Sequence, residues 1–187
     1  TVVFAAWNDP NISDTSSIQK LYISKKVKEK WSEPSEVKET AGHRVDWAHF
    51  SPDGKYFLLS YTKPHKGHYK FPAEKGFDDF GIWIAPANES GEIDWKNLKP
   101  VTSGGINRPK NPANKSIRYV HNETGPRMDL AGNLYFWTER LDDGGGRRDL
   151  YFASIKNLEK AEWNEAKLLD SPINSEFNES GNAISPD

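Results

Sequence analysis

The residues best suited to recognition chemistry fall in one insert, Lys63-Pro64-His65-Lys66-Gly67-His68-Tyr69-Lys70-Phe71-Pro72, which holds two His, three Lys and two aromatics. Aromatic rings such as Tyr69 stack on sugar faces, and lysines hold carboxylates or phosphates as point charges. His65 and His68 are close enough in sequence to share a metal, with Asp78 and Asp79 as candidate carboxylates. The same residues also suit a surface lid that Tyr69 and Phe71 pack down. A second set comprises the pairs Asn122-Glu123 and Asn178-Glu179. Unique residues flank the first of these, His121 and Arg127, and Arg44 and Asp46 flank the matching place earlier in the chain. The candidate ligand-binding residues are therefore His65, His68, Tyr69, Arg44, Asp46, His121, Glu123, Arg127 and Glu179.

Catalytic patterns are missing. There is no Gly-X-Ser-X-Gly and no His-Glu-X-X-His. Asp142-Asp143-Gly144-Gly145-Gly146-Arg147-Arg148 has no helix after it to bind phosphate and no alternating ligands for calcium, so it reads as a connection. The chain has no Cys, which removes disulfides and thiolate chemistry. A net charge of -2 argues against nucleic acid as partner. No apolar run approaches the ~18–20 residues of a membrane span. Asn-X-Ser/Thr sequons begin at Asn11, Asn88, Asn114, Asn122 and Asn178, as an Asn-rich repeat produces them, and no glycosylation is read from them. The chain opens on Thr1 rather than Met, which fits a removed leader or preceding repeats.

The positioning elements are repeated. Ser51-Pro52-Asp53-Gly54 is a turn: Pro52 presets φ, Asp53 bonds its own backbone and Gly54 takes positive φ. It leads into Tyr56-Phe57-Leu58-Leu59, a strand buried on both faces. Met128-Asp129-Leu130-Ala131-Gly132-Asn133 repeats the design before Leu134-Tyr135-Phe136-Trp137. Ala183-Ile184-Ser185-Pro186-Asp187 starts it again, and Thr1-Val2-Val3-Phe4 reads as what should follow. The unit is a first strand A, the turn, strand B (2–6, 56–61, 134–138), a variable loop and strand C (20–24, 81–85, 149–154). A hairpin then leads to an outer strand D opened by Trp31, Trp95 or Trp163. Four short strands with a repeated Trp predict an all-β fold of β-propeller blades, about three of them, over 1–54, 55–132 and 133–187.

The Ser-Pro-Asp-Gly turn, the segment Asn174-Ser175-Glu176-Phe177-Asn178-Glu179 and the run from Glu139 to Asp149-Leu150-Tyr151 resemble the TolB-like, WD40-like (PD40) propeller repeat. The likeness covers essentially the whole chain and is strongest in the third unit. It implies a ring of four to eight blades, so three must belong to a larger, six-bladed ring in the same chain or be completed by another copy. In that ring strand A lines a channel, where Glu123 and Glu179 would bind a cation or a basic segment, or simply serve the repeat. Short A–B and C–D turns would share one face, and the long loops 8–19, 63–79, 103–117 and 141–148 the other. Loop-bearing faces usually carry function. The expectation is a non-catalytic, periplasmic or secreted binding scaffold for a protein or glycan. The alternative is a propeller enzyme, or a propeller domain of one, acting on carbohydrate or peptide. No cofactor is expected beyond a channel-bound divalent cation, which stays open.

Overall fold

A computed structural model describes residues 1–7, 19–63, 80–107, 122–139 and 148–185. The protein is all-β, and its main strands form three antiparallel sheets. The first sheet joins β1 (Val2–Trp7), β2 (Gln19–Ser24) and β5 (Ser35–Glu36), with the small hairpin β3 (Lys26–Val27) and β4 (Lys30–Trp31) inserted. The second runs in sequence order through β6 (Val45–Phe50), β7 (Tyr56–Tyr61), β8 (Gly81–Pro86) and β9 (Lys99–Pro100). The third contains β10 (Glu123–Met128), β11 (Leu134–Thr138), β12 (Asp149–Ala153) and β15 (Lys167–Leu168). A second hairpin, β13 (Ile155–Asn157) and β14 (Glu162–Trp163), sits before β15. The four-strand meander expected from the repeats is therefore present twice, and the first sheet carries strands B, C and D of a third.

Alternation in the central strand explains how the sheets stack. Phe57, Leu59 and Tyr61 of β7 point into a core with Leu21, Val37, Val45 and Trp83. Leu58 points the other way, into a core with Ile82, Ile84, Met128, Leu134, Phe136 and Tyr151. Successive side chains on a strand face opposite sides, so one uninterrupted apolar run serves two cores. The second sheet thus lies between the first and the third, with β6 packed beside both β1 and β10. The described residues do not close a ring. The outer face of the first sheet stacks Phe4 on Tyr22 at 5.9 Å, and Phe4 is exposed.

One expectation is corrected. Trp31, Trp95 and Trp163 do not open the outer strands. Trp31 ends β4, Trp163 ends β14, and Trp95 starts a one-turn 3-10 helix, Trp95–Asn97. The outer strands are two residues long and begin four positions later, at Ser35, Lys99 and Lys167. The indoles pin the C–D connection to the A–B turn. Trp163 Nε1 donates to the Gly132 carbonyl at 2.9 Å, and Trp95 meets Phe57 edge-on at 5.6 Å. Trp31 has no A–B turn beneath it among the described residues, and it is exposed.

Candidate functional site

The register fixes which connections share an edge. Val45 pairs with Tyr61, and Tyr61 with Gly81; Glu123 pairs with Thr138, and Thr138 with Asp149. The ends from which the long loops depart are therefore together. At the opposite edge Phe50 pairs with Phe57 and Met128 with Leu134, joined by the tight turns. The interior of the loops, including His65, His68, Tyr69 and His121, lies outside the described residues.

The turn edge satisfies itself. Ser51 Oγ accepts the Tyr56 N–H at 2.9 Å and donates to Asp53 at 2.7 Å. In the next unit Asp129 accepts from the Asn133 N–H at 2.8 Å and from Asn133 Nδ2 at 2.9 Å. Burial pushes the Asp53 carboxyl up, but the Ser51 hydroxyl, the Lys55 N–H at 3.1 Å and the Lys55 charge together hold it below its ordinary value.

At the loop edge, asparagines staple the backbone. Asn107 Oδ1 accepts the Ile82 N–H at 2.7 Å, while its Nδ2 donates to the carbonyls of Ile82 and Val101 at 2.8 and 2.9 Å. Asn174 does the same to Leu150 and Leu169. Asn122 accepts from the Phe80 N–H at 3.1 Å and donates to Glu139 at 3.2 Å. The Glu123 N–H meets the Phe80 carbonyl at 3.0 Å, and the Glu179 N–H meets Arg148 at 2.8 Å. Glu123 and Glu179 thus anchor equivalent backbone positions. Glu123 is buried, and the Glu179 side chain accepts from Ser175. Arg44 lies over the Phe80 ring at 5.2 Å, and Arg148 lies over Trp137 at 5.0 Å while its Nε donates to Glu139 at 2.8 Å.

Some polar atoms at this edge have nothing to bond. Among the described residues, Thr124 Oγ1, Thr138 Oγ1, Trp137 Nε1 and both polar atoms of the Asn182 side chain are buried without a partner. Thr138 is 0% and Thr124 2% exposed. Thr124 pairs with Trp137 across β10 and β11 and shares its face, while Thr138, the next residue along β11, points to the other face beside Glu123. Buried polar groups are normally bonded, and an orphan calls for a reason such as a ligand.

Strands β6 and β10 carry a β-bulge at the same place, between Asp46 and His49 and between Thr124 and Arg127. The register makes Val45 the counterpart of Glu123, Trp47 of Gly125 and His49 of Arg127. The bulge needs positive φ: Gly125 has +63° and Gly181, two residues after Glu179 as Gly125 is after Glu123, has +77°. Trp47 adopts +48° with a full side chain. Such a conformation costs a bulky residue about 1–3 kcal/mol and tends to persist at functional positions.

Trp47 is 37% exposed. Asp46 accepts the Trp47 N–H at 2.9 Å and Gln19 Nε2 at 3.4 Å, and burial pushes its carboxyl above the ordinary value. Burial, with the Arg127 charge adding to it, pulls His49 down to about 4. The Arg127 guanidinium is partly buried, which lowers its pKa, and donates to the Pro126 carbonyl at 3.0 Å. No carboxylate pairs with it among the described residues.

Sequence reasoning selected Arg127 and Asp46 but missed Trp47 and His49. The signal was available: aligned on the turn, Trp47 stands where the other units have Gly125 and Gly181. Among the described residues no three His, Asp or Glu side chains gather as a metal site. A scan against models of known protein families finds no match to this chain, and a search of curated proteins finds no significant relative.

Proposed function

We propose that the protein is a non-catalytic binding scaffold of the TolB-like propeller type, its sheets acting as blades of a larger ring, and that the loop-bearing edge takes a protein or glycan ligand outside the cytoplasm. The observation that carries this reading is the contrast in polar satisfaction. The turn edge bonds its own side chains, whereas among the described residues the loop edge of the third sheet holds buried, unpartnered groups on both faces, Thr124 Oγ1 and Trp137 Nε1 on one and Thr138 Oγ1 on the other. A ligand with donors and acceptors would complete them, and the loop holding His65, His68 and Tyr69 springs from the same edge. The channel cation remains part of this proposal only as an accessory to binding.

The test is a binding screen against a defined panel of glycans and peptides, by biolayer interferometry, on the intact chain and two variants. One replaces residues 64–79 with a short Gly-Ser turn; the other is the pair Thr124→Val and Thr138→Val. The expected result is a ligand whose affinity falls at least tenfold in each variant. Equal affinity of intact protein and both variants for every ligand found sinks the reading.

A further inference from the structure

We infer that the paired bulges of β6 and β10 form a binding site for an acidic oligosaccharide, with Trp47 as the stacking platform and Arg127 as the partner of a sugar carboxylate. This deepens the binding-scaffold reading and rests on it. Three observations converge. First, the repeat puts glycine at this bulge, and the reason is visible at Gly125, where an added Cβ would lie 2.7 Å from Trp137 Nε1. In β7 the residue in the register position of Trp137 is Ser60, so the second sheet exchanges a large wall and a small bulge for a small wall and a large bulge. The exchange makes room for an indole and leaves it exposed, although a glycine would relieve the backbone. A flat, amphipathic ring held out at a strained position is suited to the apolar face of a sugar.

Second, the neighbouring bulge supplies charge. Arg127 is partly buried, donates only to the Pro126 carbonyl among the described residues, and presents the forked donor geometry that carboxylates match. Third, the two bulges are adjacent, because β6 packs against β10 and His49, the register counterpart of Arg127, lies within reach of its charge. His49 is neutral at ordinary pH and adds hydrogen-bonding capacity rather than a second cation. Asp46 is engaged by the Trp47 N–H and by Gln19 of β2, and the charge it feels is that of Arg44, so it does not neutralise Arg127. Among the described residues the two bulges therefore bring together the Arg127 cation, the Trp47 plane and the neutral His49 imidazole, a set matched to a uronic acid residue joined to a second sugar.

The experiment is isothermal titration of the full chain with a trimer of mannuronic acid and, separately, with an uncharged mannose trimer of the same linkage. The intact protein is expected to prefer the acidic trimer at least tenfold, with the preference shrinking as salt rises. Trp47→Gly is expected to lose binding of both trimers while melting above Trp47→Ala, since only glycine suits the bulge. Arg127→Gln is expected to keep the neutral trimer and lose the preference for the acidic one. The inference is overturned if the intact protein binds neither trimer, if Trp47→Gly binds as the intact protein does, or if Trp47→Ala melts above Trp47→Gly. Should these fail while the Gly-Ser loop variant still loses a ligand found in the screen, the scaffold reading stands without this site.

Discussion

Strands β10 and β11 end twice, once at the tight turn that joins them and once at the loop-bearing edge, and the two ends are finished differently. At the turn, Asp129 takes two hydrogen bonds from Asn133, whose own Oδ1 accepts the Ile155 N–H at 3.0 Å. Both polar side chains of the turn therefore have internal roles. A few residues along the same strands, Thr138 is wholly buried and its hydroxyl bonds nothing among the described residues. The difference separates what the repeat needs from what it tolerates. Turn residues close the unit, while the loop edge, beside its stapling asparagines and the Arg148–Glu139 pair, keeps Thr124, Thr138 and Trp137 polar atoms that the described residues do not engage.

The largest effect should come from the staples, because they hold the loop edge together. Asn174→Ala leaves the Leu150 N–H and the carbonyls of Leu150 and Leu169 without partners. Asn174 is buried, so about 3 kcal/mol should be lost, read as a shift in the urea midpoint. A loss under about 1 kcal/mol would mean that the edge is not organised by its asparagines. Asp129→Ala comes next, at about 2 kcal/mol, since the turn keeps the backbone bonds from residue 129 N–H to the Asn133 carbonyl and from Gly132 N–H to the residue 129 carbonyl but loses its carboxylate. If Asp129 proved the costlier of the two, the turn edge would be the stronger anchor and the comparison would invert.

The smaller effect has the opposite sign. Thr138→Val keeps the shape of the side chain and removes a hydroxyl that pays for burial without a bond. The variant should be more stable by about 1 kcal/mol in the absence of ligand, while ligand affinity falls. Stabilisation coupled to lost binding is the pattern expected where a fold holds a group for function. A destabilised Thr138→Val would show that the hydroxyl is bonded in solution, and the contrast between the edges would lose its main support.

The parts of this arrangement readable from sequence are those with a local cause. Pro52, Asp53 and Gly54 specify a turn by their own backbone preferences, and the apolar run after them specifies a strand with two buried faces. The sheet order followed from repeating that unit. The outer strands were misplaced because the Trp residues looked like strand formers, whereas Trp163 is held by a bond to Gly132, thirty-one positions earlier. Two-residue edge strands such as Lys99–Pro100 carry too little pattern to announce themselves. The staples were hidden for another reason: Asn107 and Asn174 act on equivalent partners but sit at different distances along their loops, so no fixed spacing marks them. Of the site, Arg127 and Asp46 stood out as charges unique to their unit. Trp47 did not, because its meaning lies in a backbone angle that only the comparison with Gly125 makes unusual.

The last prediction concerns pH and is the smallest. His49 is pulled from an ordinary value of 6.5 down to about 4 in the folded protein, by burial first and the Arg127 charge second. The unfolded chain therefore takes up this proton before the folded one does. Above pH 6.5 the residue has no effect on stability, and between 6.5 and 4 stability should fall steadily as pH drops. The imidazole is partly open to solvent, so the loss is well short of the full shift. Asp46 works the other way: its raised pKa means the fold binds that proton first, so acidification through the carboxylate range favours the folded state. Urea melts at pH 7, 6 and 5 should show the decline in the intact protein, and His49→Gln should flatten it while leaving Asp46 in place. An unchanged slope in His49→Gln would mean that the imidazole is hydrated when Arg127 is charged, and that the two bulges stand further apart than the packing of β6 on β10 implies.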